Sequence, residues 1–235
     1  MARADELTET LITESGSAYA KARGEVMGSA GVFRVAAGEC RRLSAEVLAP
    51  GVEGQVSLTL RRPLGVVLGI TPFNYPLILA VKKLAYALAA GNTFILKPSP
   101  HTPVISLLIA DILKEAGLAP HALNVLPLPS AEDSARLVKD PRIAMVSFTG
   151  SSRVGRQIAG ICGAELKRFN MELGGGGGNY RLWGVLPSGP GLYGYLPGNR
   201  GRQKLRGPAA PFNQAGGKPE GRRPAGSGGS DRAAD

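Results

Sequence analysis

Residues 65–97 read GVVLGITPFNYPLILAVKKLAYALAAGNTFILK, and this stretch decides the fold. Gly65 to Thr71 is a short continuous apolar run, as a parallel strand buried on both faces requires. Pro76 stands where a helix begins, since the first turn has no use for the missing N–H, and Gly91 stands where that helix ends. Thr93 to Leu96 is a second short strand. Strand, helix and strand in this order form a βαβ unit, and such units build parallel sheets. From Pro63 to Val81 no residue is charged, which raises the question of a membrane span. Gly65, Gly69, Pro72, Asn74 and Pro76 interrupt the run, and a spanning helix broken so often would leave backbone groups unsatisfied in lipid. No membrane segment is expected.

The alternation continues downstream. Pro103 to Ala116 reads as a helix closed by Gly117, and Leu123 to Leu126 as a strand. Ser130 and Asp133 resemble a capping box that opens a helix stopping before Pro141. Met145 to Thr149 is a strand, Arg153 to Ile161 a helix, and Phe169 to Leu173 a last strand ending a buried sheet. Upstream, Leu7, Leu11, Ile12, Val26, Val32, Phe33 and Ala36 suggest two amphipathic helices reaching about Ala49. Gln55 to Leu60 alternates as a half-buried strand should. The expected fold is α/β, a Rossmann-like parallel sheet with helices on both faces and right-handed crossovers. Its ligand belongs at the carboxyl ends of the strands.

Composition divides the chain near residue 175. The residues from Gly176 to Asp235 hold 16 of the 33 Gly and 7 of the 18 Pro, and 9 Lys+Arg against 3 Asp+Glu. They show no apolar period, and such a composition buries too little surface to offset its conformational entropy. The expectation is a folded domain over 1–175 and a low-complexity, disordered tail over 176–235. The tail carries more than half of the net charge of +10, with Tyr180, Trp183, Tyr193, Tyr195 and Phe212 interleaved. Arginine, glycine and aromatics in that mixture can bind RNA, but a solvated chain without nucleic-acid partner is the preferred reading. The two cysteines, Cys40 and Cys162, exclude a disulfide scaffold. The N-terminus has no apolar signal core, so a cytoplasmic location is expected. His101 and His121 stand alone without ligand spacing, so no metal is expected.

Four segments follow the strands: Thr71-Pro72-Phe73-Asn74-Tyr75-Pro76, Lys97-Pro98-Ser99-Pro100, Thr149-Gly150-Ser151-Ser152, and Glu172-Leu173-Gly174-Gly175. With the flanking Phe148, Val154, Gly155 and Met171, they resemble, in order, four motifs of the aldehyde dehydrogenase superfamily. The likeness covers roughly residues 1–175. It implies a thiolate that attacks the aldehyde, an amide that holds the oxyanion, a nicotinamide that accepts the hydride and a base that activates water. By that resemblance Asn74 is the oxyanion donor and Glu172 the general base. Lys97 would bond the adenosine ribose, while Gly150 and Ser151 would admit the pyrophosphate at a helix N-terminus. The implied cofactor set is Thr71, Pro72, Phe73, Asn74, Lys97, Ser99, Phe148, Gly150, Ser151, Val154, Leu173 and Gly174, and the cofactor is NAD or NADP. Plainer alternatives stand beside these roles: Asn74 as a helix cap, and Glu172 and Lys97 as solvated strand-end charges. A P-loop is rejected, since Arg156-Gln157 stands where Lys-Ser/Thr is required.

The chain departs from the family pattern at three places. Pro100 occupies the slot where many NAD-preferring relatives carry a ribose-binding carboxylate, which also removes repulsion of a 2′-phosphate. Leu128 stands where many relatives have a glycine. The nucleophilic cysteine is expected near residues 200–210, and no cysteine follows Cys162. The family's chains are substantially longer and form oligomers. The Gly-, Pro-, Arg- and Ala-rich text suggests a reading-frame shift in the run Gly174 to Gly178, and the start suggests missing leading sequence. The texture around Arg61 to Gly65 is closest to members acting on small polar aldehydes such as lactaldehyde. The reading is an aldehyde-oxidising enzyme's cofactor domain, inactive alone; the alternative is a non-catalytic cofactor- or nucleic-acid-binding fragment.

Overall fold

The structure is a computed structural model that describes residues 2–174 except Pro50 and Glu53. The expected tail, 176–235, and the boundary at Gly175 lie outside the described residues. Two helices, α1 (Ala4–Ser15) and α2 (Tyr19–Glu39), precede a hairpin of β1 (Glu46–Leu48) and β2 (Ser57–Thr59). Then come β3 (Val66–Ile70), α3 (Pro76–Ala89), β4 (Thr93–Lys97), α4 (Val104–Glu115), β5 (Leu123–Val125), α5 (Ala131–Lys139), β6 (Ile143–Ser151), α6 (Ser152–Ala164) and β7 (Arg168–Gly174). The uncharged run from Pro63 thus becomes β3 and the start of α3. Among the described residues no helix is long and apolar enough to cross a membrane.

Strands β3 to β7 form one parallel sheet in the order β5-β4-β3-β6-β7. The chain moves outward from β3 to β5, returns past β3, and moves outward again to β7. With one hand of crossover, that reversal puts the helices of the two halves on opposite faces. The core follows suit. Val67, Phe94 and Leu96 pack with Leu77, Leu84, Ile105 and Ile109 of α3 and α4, and α1 and α2 lie over those helices. Leu68, Ile70, Val146 and Phe148 pack on the other side with Val138 of α5 and Ile158 and Cys162 of α6. Side chains such as Phe94 and Leu84, both 0% exposed, contribute about 1.5–3 kcal/mol each by leaving water.

Three expectations are corrected. The second helix stops at Glu39 rather than near Ala49, and Glu46–Leu48 is a strand. It pairs antiparallel with β2, placing Val47 opposite Leu58. The second strand is shorter than Gln55–Leu60 and is exposed on both sides rather than half-buried. Its alternation has no packed surface beneath it, because β1 is its one sheet partner among the described residues. Glu172 also does not end a buried strand. Strand β7 pairs with β6 alone among the described residues, and its side chains alternate between exposed and half-buried.

Candidate cofactor and catalytic site

The strand order reverses between β3 and β6. Such a switch point leaves a crevice at the carboxyl ends of the sheet. Register decides which residues stand at its rim. Ile70 is opposite Lys97 on one side and Phe148 on the other, and Thr149 is opposite Glu172. Thr71 follows directly, donating its N–H to the Lys97 carbonyl at 3.2 Å. The four segments separated in sequence therefore share one edge of the sheet.

Strand alternation sorts them onto two faces. Phe148 packs toward α6, so its neighbours Ser147 and Thr149 face α3. There the Thr149 hydroxyl donates to Glu172 Oε2 at 2.8 Å. Lys83, on α3, donates to Ser147 Oγ at 3.2 Å and lies 3.7 Å from Glu172 Oε2. Burial pushes the Lys83 ammonium below the ordinary lysine range, and the Glu172 carboxylate opposes that shift. The Glu172 side chain itself is 51% exposed, so it is tethered at one oxygen and open to solvent otherwise.

Lys97 lies two residues beyond Ile95, which packs with the α6 cluster, and so faces that side. It is 9% exposed and its ammonium has no partner among the described residues. Burial lowers its proton affinity. Thr71 is 4% exposed, and its hydroxyl is likewise buried without a hydrogen bond. Ser99 accepts from the His101 N–H at 3.2 Å, leaving its own hydroxyl proton available. Buried polar groups seldom go unpaired. The buried, unpaired Thr71 hydroxyl and the unpaired Lys97 ammonium at the sheet rim fit a polar anionic ligand such as a dinucleotide.

The helix ends narrow the choice of where a phosphate would sit. The N-terminus of α3 is closed by Glu25 of α2, whose Oε1 accepts from the Leu77 and Ile78 N–H groups at 2.9 and 3.0 Å. Glu14 of α1 closes α4 through Val104 and Ile105 at 2.7 and 2.8 Å. Helix α5 carries Glu132 and Asp133 in its first turn, with Ser130 as cap. Helix α6 has no acidic residue in its first turn, and Ser151 alone caps it, accepting from Val154 N at 3.3 Å. Its dipole is thus open to an anion. The approach is kept narrow by packing. A Cβ on Gly150 would stand 2.5 Å from Phe148 Cζ, and one on Gly155 2.4 Å from Leu173 Cδ2. Phe148, Val154 and Leu173 form the apolar support of this loop, and Gly174 stands opposite Ser151 in register.

The capping by Glu25 also bears on Asn74. Tyr75 is the residue before α3 and no side chain of its own loop caps the helix. Asn74 is exposed, with its side-chain amide unbonded among the described residues, so the plainer reading of it as a helix cap does not hold. Pro72 is half-buried, and Phe73 is exposed and meets His101 edge-on, with ring centroids 5.9 Å apart. Cys162 is 0% exposed within the α6 cluster, and burial raises its thiol above the ordinary range. Cys40 is exposed at the end of α2. No group of three potential metal ligands occurs among the described residues. Sequence reasoning did not find Lys83, Glu25, Glu14 or Lys21; no local pattern marks them, since their partners lie far along the chain.

A parallel α/β sheet whose order reverses between β3 and β6, with an open helix N-terminus at α6, is the setting in which α/β proteins bind ligands at the carboxyl ends of their strands. The family model for the aldehyde dehydrogenase family matches residues 1–179, and the chain belongs to that family. It is 40% identical over 178 residues to 3-sulfolactaldehyde dehydrogenase of Priestia aryabhattai, covering 74% of this chain and 37% of that one. It is 43% identical over 182 residues to phenylacetaldehyde dehydrogenase of Pseudomonas fluorescens, covering 74% and 36%. Among solved structures, an E. coli NADP dependent enzyme superposes with a TM-score of 0.73 at 31% identity, covering 74% of this chain and 36% of that one. The chain therefore spans little more than a third of the length of these relatives.

Proposed function

We propose that this chain is the cofactor-binding part of an aldehyde dehydrogenase, that it holds NAD or NADP across the carboxyl ends of β3, β4 and β6, and that it does not oxidise aldehydes by itself. The observation that carries the reading is the unpaired Lys97 ammonium, on a side chain 9% exposed that faces the α6 side of the sheet rim, together with the open end of α6. Lys97 and Ser99 would take the adenosine ribose, and the Gly150–Ser151 turn the pyrophosphate. When bound, the dinucleotide supplies a hydride acceptor. The protein's own contributions would lie on the α3 face. Asn74 offers an amide N–H to an oxyanion, and Glu172 takes a proton from water. Lys83 and Thr149 keep the Glu172 carboxylate at the rim. The chain has no cysteine after Cys162, whose thiol is buried, so the attacking thiolate is missing.

Pro100 is exposed in the slot of the family's ribose carboxylate, so a 2′-phosphate meets no negative charge there. Both dinucleotides are accepted on this reading. The kinship to both 3-sulfolactaldehyde and phenylacetaldehyde dehydrogenases leaves the aldehyde class open. In the intact family arrangement, the substrate is an aldehyde and the assembly an oligomer.

Titration of the purified chain with NADP and NAD, followed by calorimetry, tests this. Saturable binding that weakens about tenfold or more in Lys97→Ala, on loss of a charge-assisted hydrogen bond, is the expected result. Absence of binding, or equal binding by the variant, overturns the site. Dinucleotide-dependent aldehyde turnover that Glu172→Ala abolishes overturns the claim of inactivity.

A further inference from the structure

Helix α2 reaches the Asn74 loop twice. Glu25 is 3% exposed and closes the N-terminus of α3 through the Leu77 and Ile78 N–H groups. Lys21, one turn earlier on the same side of α2, donates to the Asn74 carbonyl at 2.7 Å and to Ser17 Oγ at 2.6 Å. The same ammonium lies 4.3 Å from the centre of the Tyr75 ring and 3.8 Å from Glu25 Oε2. Ser17 in turn shares a hydrogen bond of 2.7 Å with Ser15. Of these contacts, the bond to the Asn74 carbonyl and the approach to the Tyr75 ring fall beside the Asn74 side chain, the Glu25 bonds fall three and four residues on, and none engages the Asn74 amide.

The arrangement is more than a cap needs. A neutral acceptor would satisfy two N–H groups without the desolvation cost of a buried carboxylate. The carboxylate instead pairs with a lysine whose other bonds hold the residue before the helix. Pro72 and Pro76 remove two φ rotations from the loop, and Lys21 removes play from the segment between them. The companion cap at α4 lacks this second part: Glu14 bonds Val104 and Ile105 and forms no ion pair among the described residues.

We infer that Lys21 and Glu25 are positioning residues for Asn74, fixing the backbone on both sides of it from outside its own loop so that its free amide is held in one orientation at the sheet rim. This rests on the reading of Asn74 as oxyanion donor and adds the residues that make such a donor preorganised.

The test is nuclear magnetic resonance of the full, isotopically labelled chain, with the Asn74 side-chain amide assigned by its loss in Asn74→Asp. Lys21→Met is expected to shift and split the Asn74 side-chain and Tyr75 backbone signals, while the signals of β4 and β5 and the urea midpoint stay in place. Glu25→Ala is expected to shift the same signals and to lower the midpoint, and Glu25→Gln, which keeps the acceptor, to restore the Ala-induced part. An Asn74 amide unmoved by Lys21→Met, or shifts spread evenly over the sheet, overturns the inference. NADP added to the parent chain separates the two levels. If it perturbs neither Asn74 nor Lys97, the cofactor site itself fails. If it perturbs both, and Lys21→Met leaves the Asn74 amide where it was, only the positioning role fails.

Discussion

The β3–α3 and β6–α6 units flank the same crevice, yet their helix ends are finished in opposite ways. At α3 a carboxylate from another helix takes the first two N–H groups and leaves the loop's own side chain, Asn74, free. At α6 a hydroxyl from the loop itself makes one long bond of 3.3 Å, and no acidic residue stands in the first turn. The first helix end is filled from within the protein; the second keeps its partial positive charge for something outside it. Two βα units of similar sequence length thus end differently: one leaves its loop amide free, the other leaves its helix N-terminus open.

Overpacking the α6 side should have the largest effect. Gly155→Val drives a branched side chain into Leu173, where even a Cβ would come within 2.4 Å, and should cost about 1–3 kcal/mol by urea unfolding and abolish dinucleotide binding. Removing the α3 cap comes next. Glu25→Ala strands two N–H groups, one of them buried, and should cost about 1–3 kcal/mol while leaving the α6 end intact. Ser151→Ala removes only the cap hydroxyl and should cost about 0.5–1 kcal/mol in the same assay.

A pH series sharpens the same comparison. Burial, the dominant influence, holds the Glu25 carboxyl above its ordinary value of 4.5, against the pull of the two N–H groups and Lys21. The folded chain therefore binds this proton more tightly than the unfolded chain. Stability from this group is greatest below 4.5, where both states are protonated, and falls as pH rises through the window up to the folded value. Glu25→Gln cannot titrate, so its stability relative to the parent should rise across that window and then level off. Urea midpoints of both proteins from acid to neutral pH measure it, and a constant difference refutes the assignment. Pro100→Glu is the subtlest change: restoring a carboxylate beside the ribose should favour NAD over NADP by about tenfold in relative affinity through repulsion of the 2′-phosphate.

How much of this was legible in sequence differs element by element. The apolar runs at Gly65–Thr71 and Met145–Thr149 and the proline and glycine stops announced a parallel α/β sheet, since local pattern and burial agree there. The strand-end segments were found the same way, because a parallel sheet puts its ligand loops after its strands. Within the hairpin, the alternation around Leu58 reads as a strand, but Glu46–Leu48 carries no strong strand signal, and pairing with Ser57–Thr59 is what makes it one.

The sequence by itself determined the fold class and the strand-end places of Asn74, Lys97, Gly150, Ser151 and Glu172, because each depends on residues near one another in the chain. Tertiary structure alone decided what surrounds them. Glu25 reaches α3 across 52 residues, Glu14 reaches α4 across 90, and Lys83 meets Ser147 across 64. A charge on a helix face looks the same in sequence whether it is solvated or buried against another helix end. Only packing two layers of helices on the sheet settles which it is, since burial makes an unpaired charge costly.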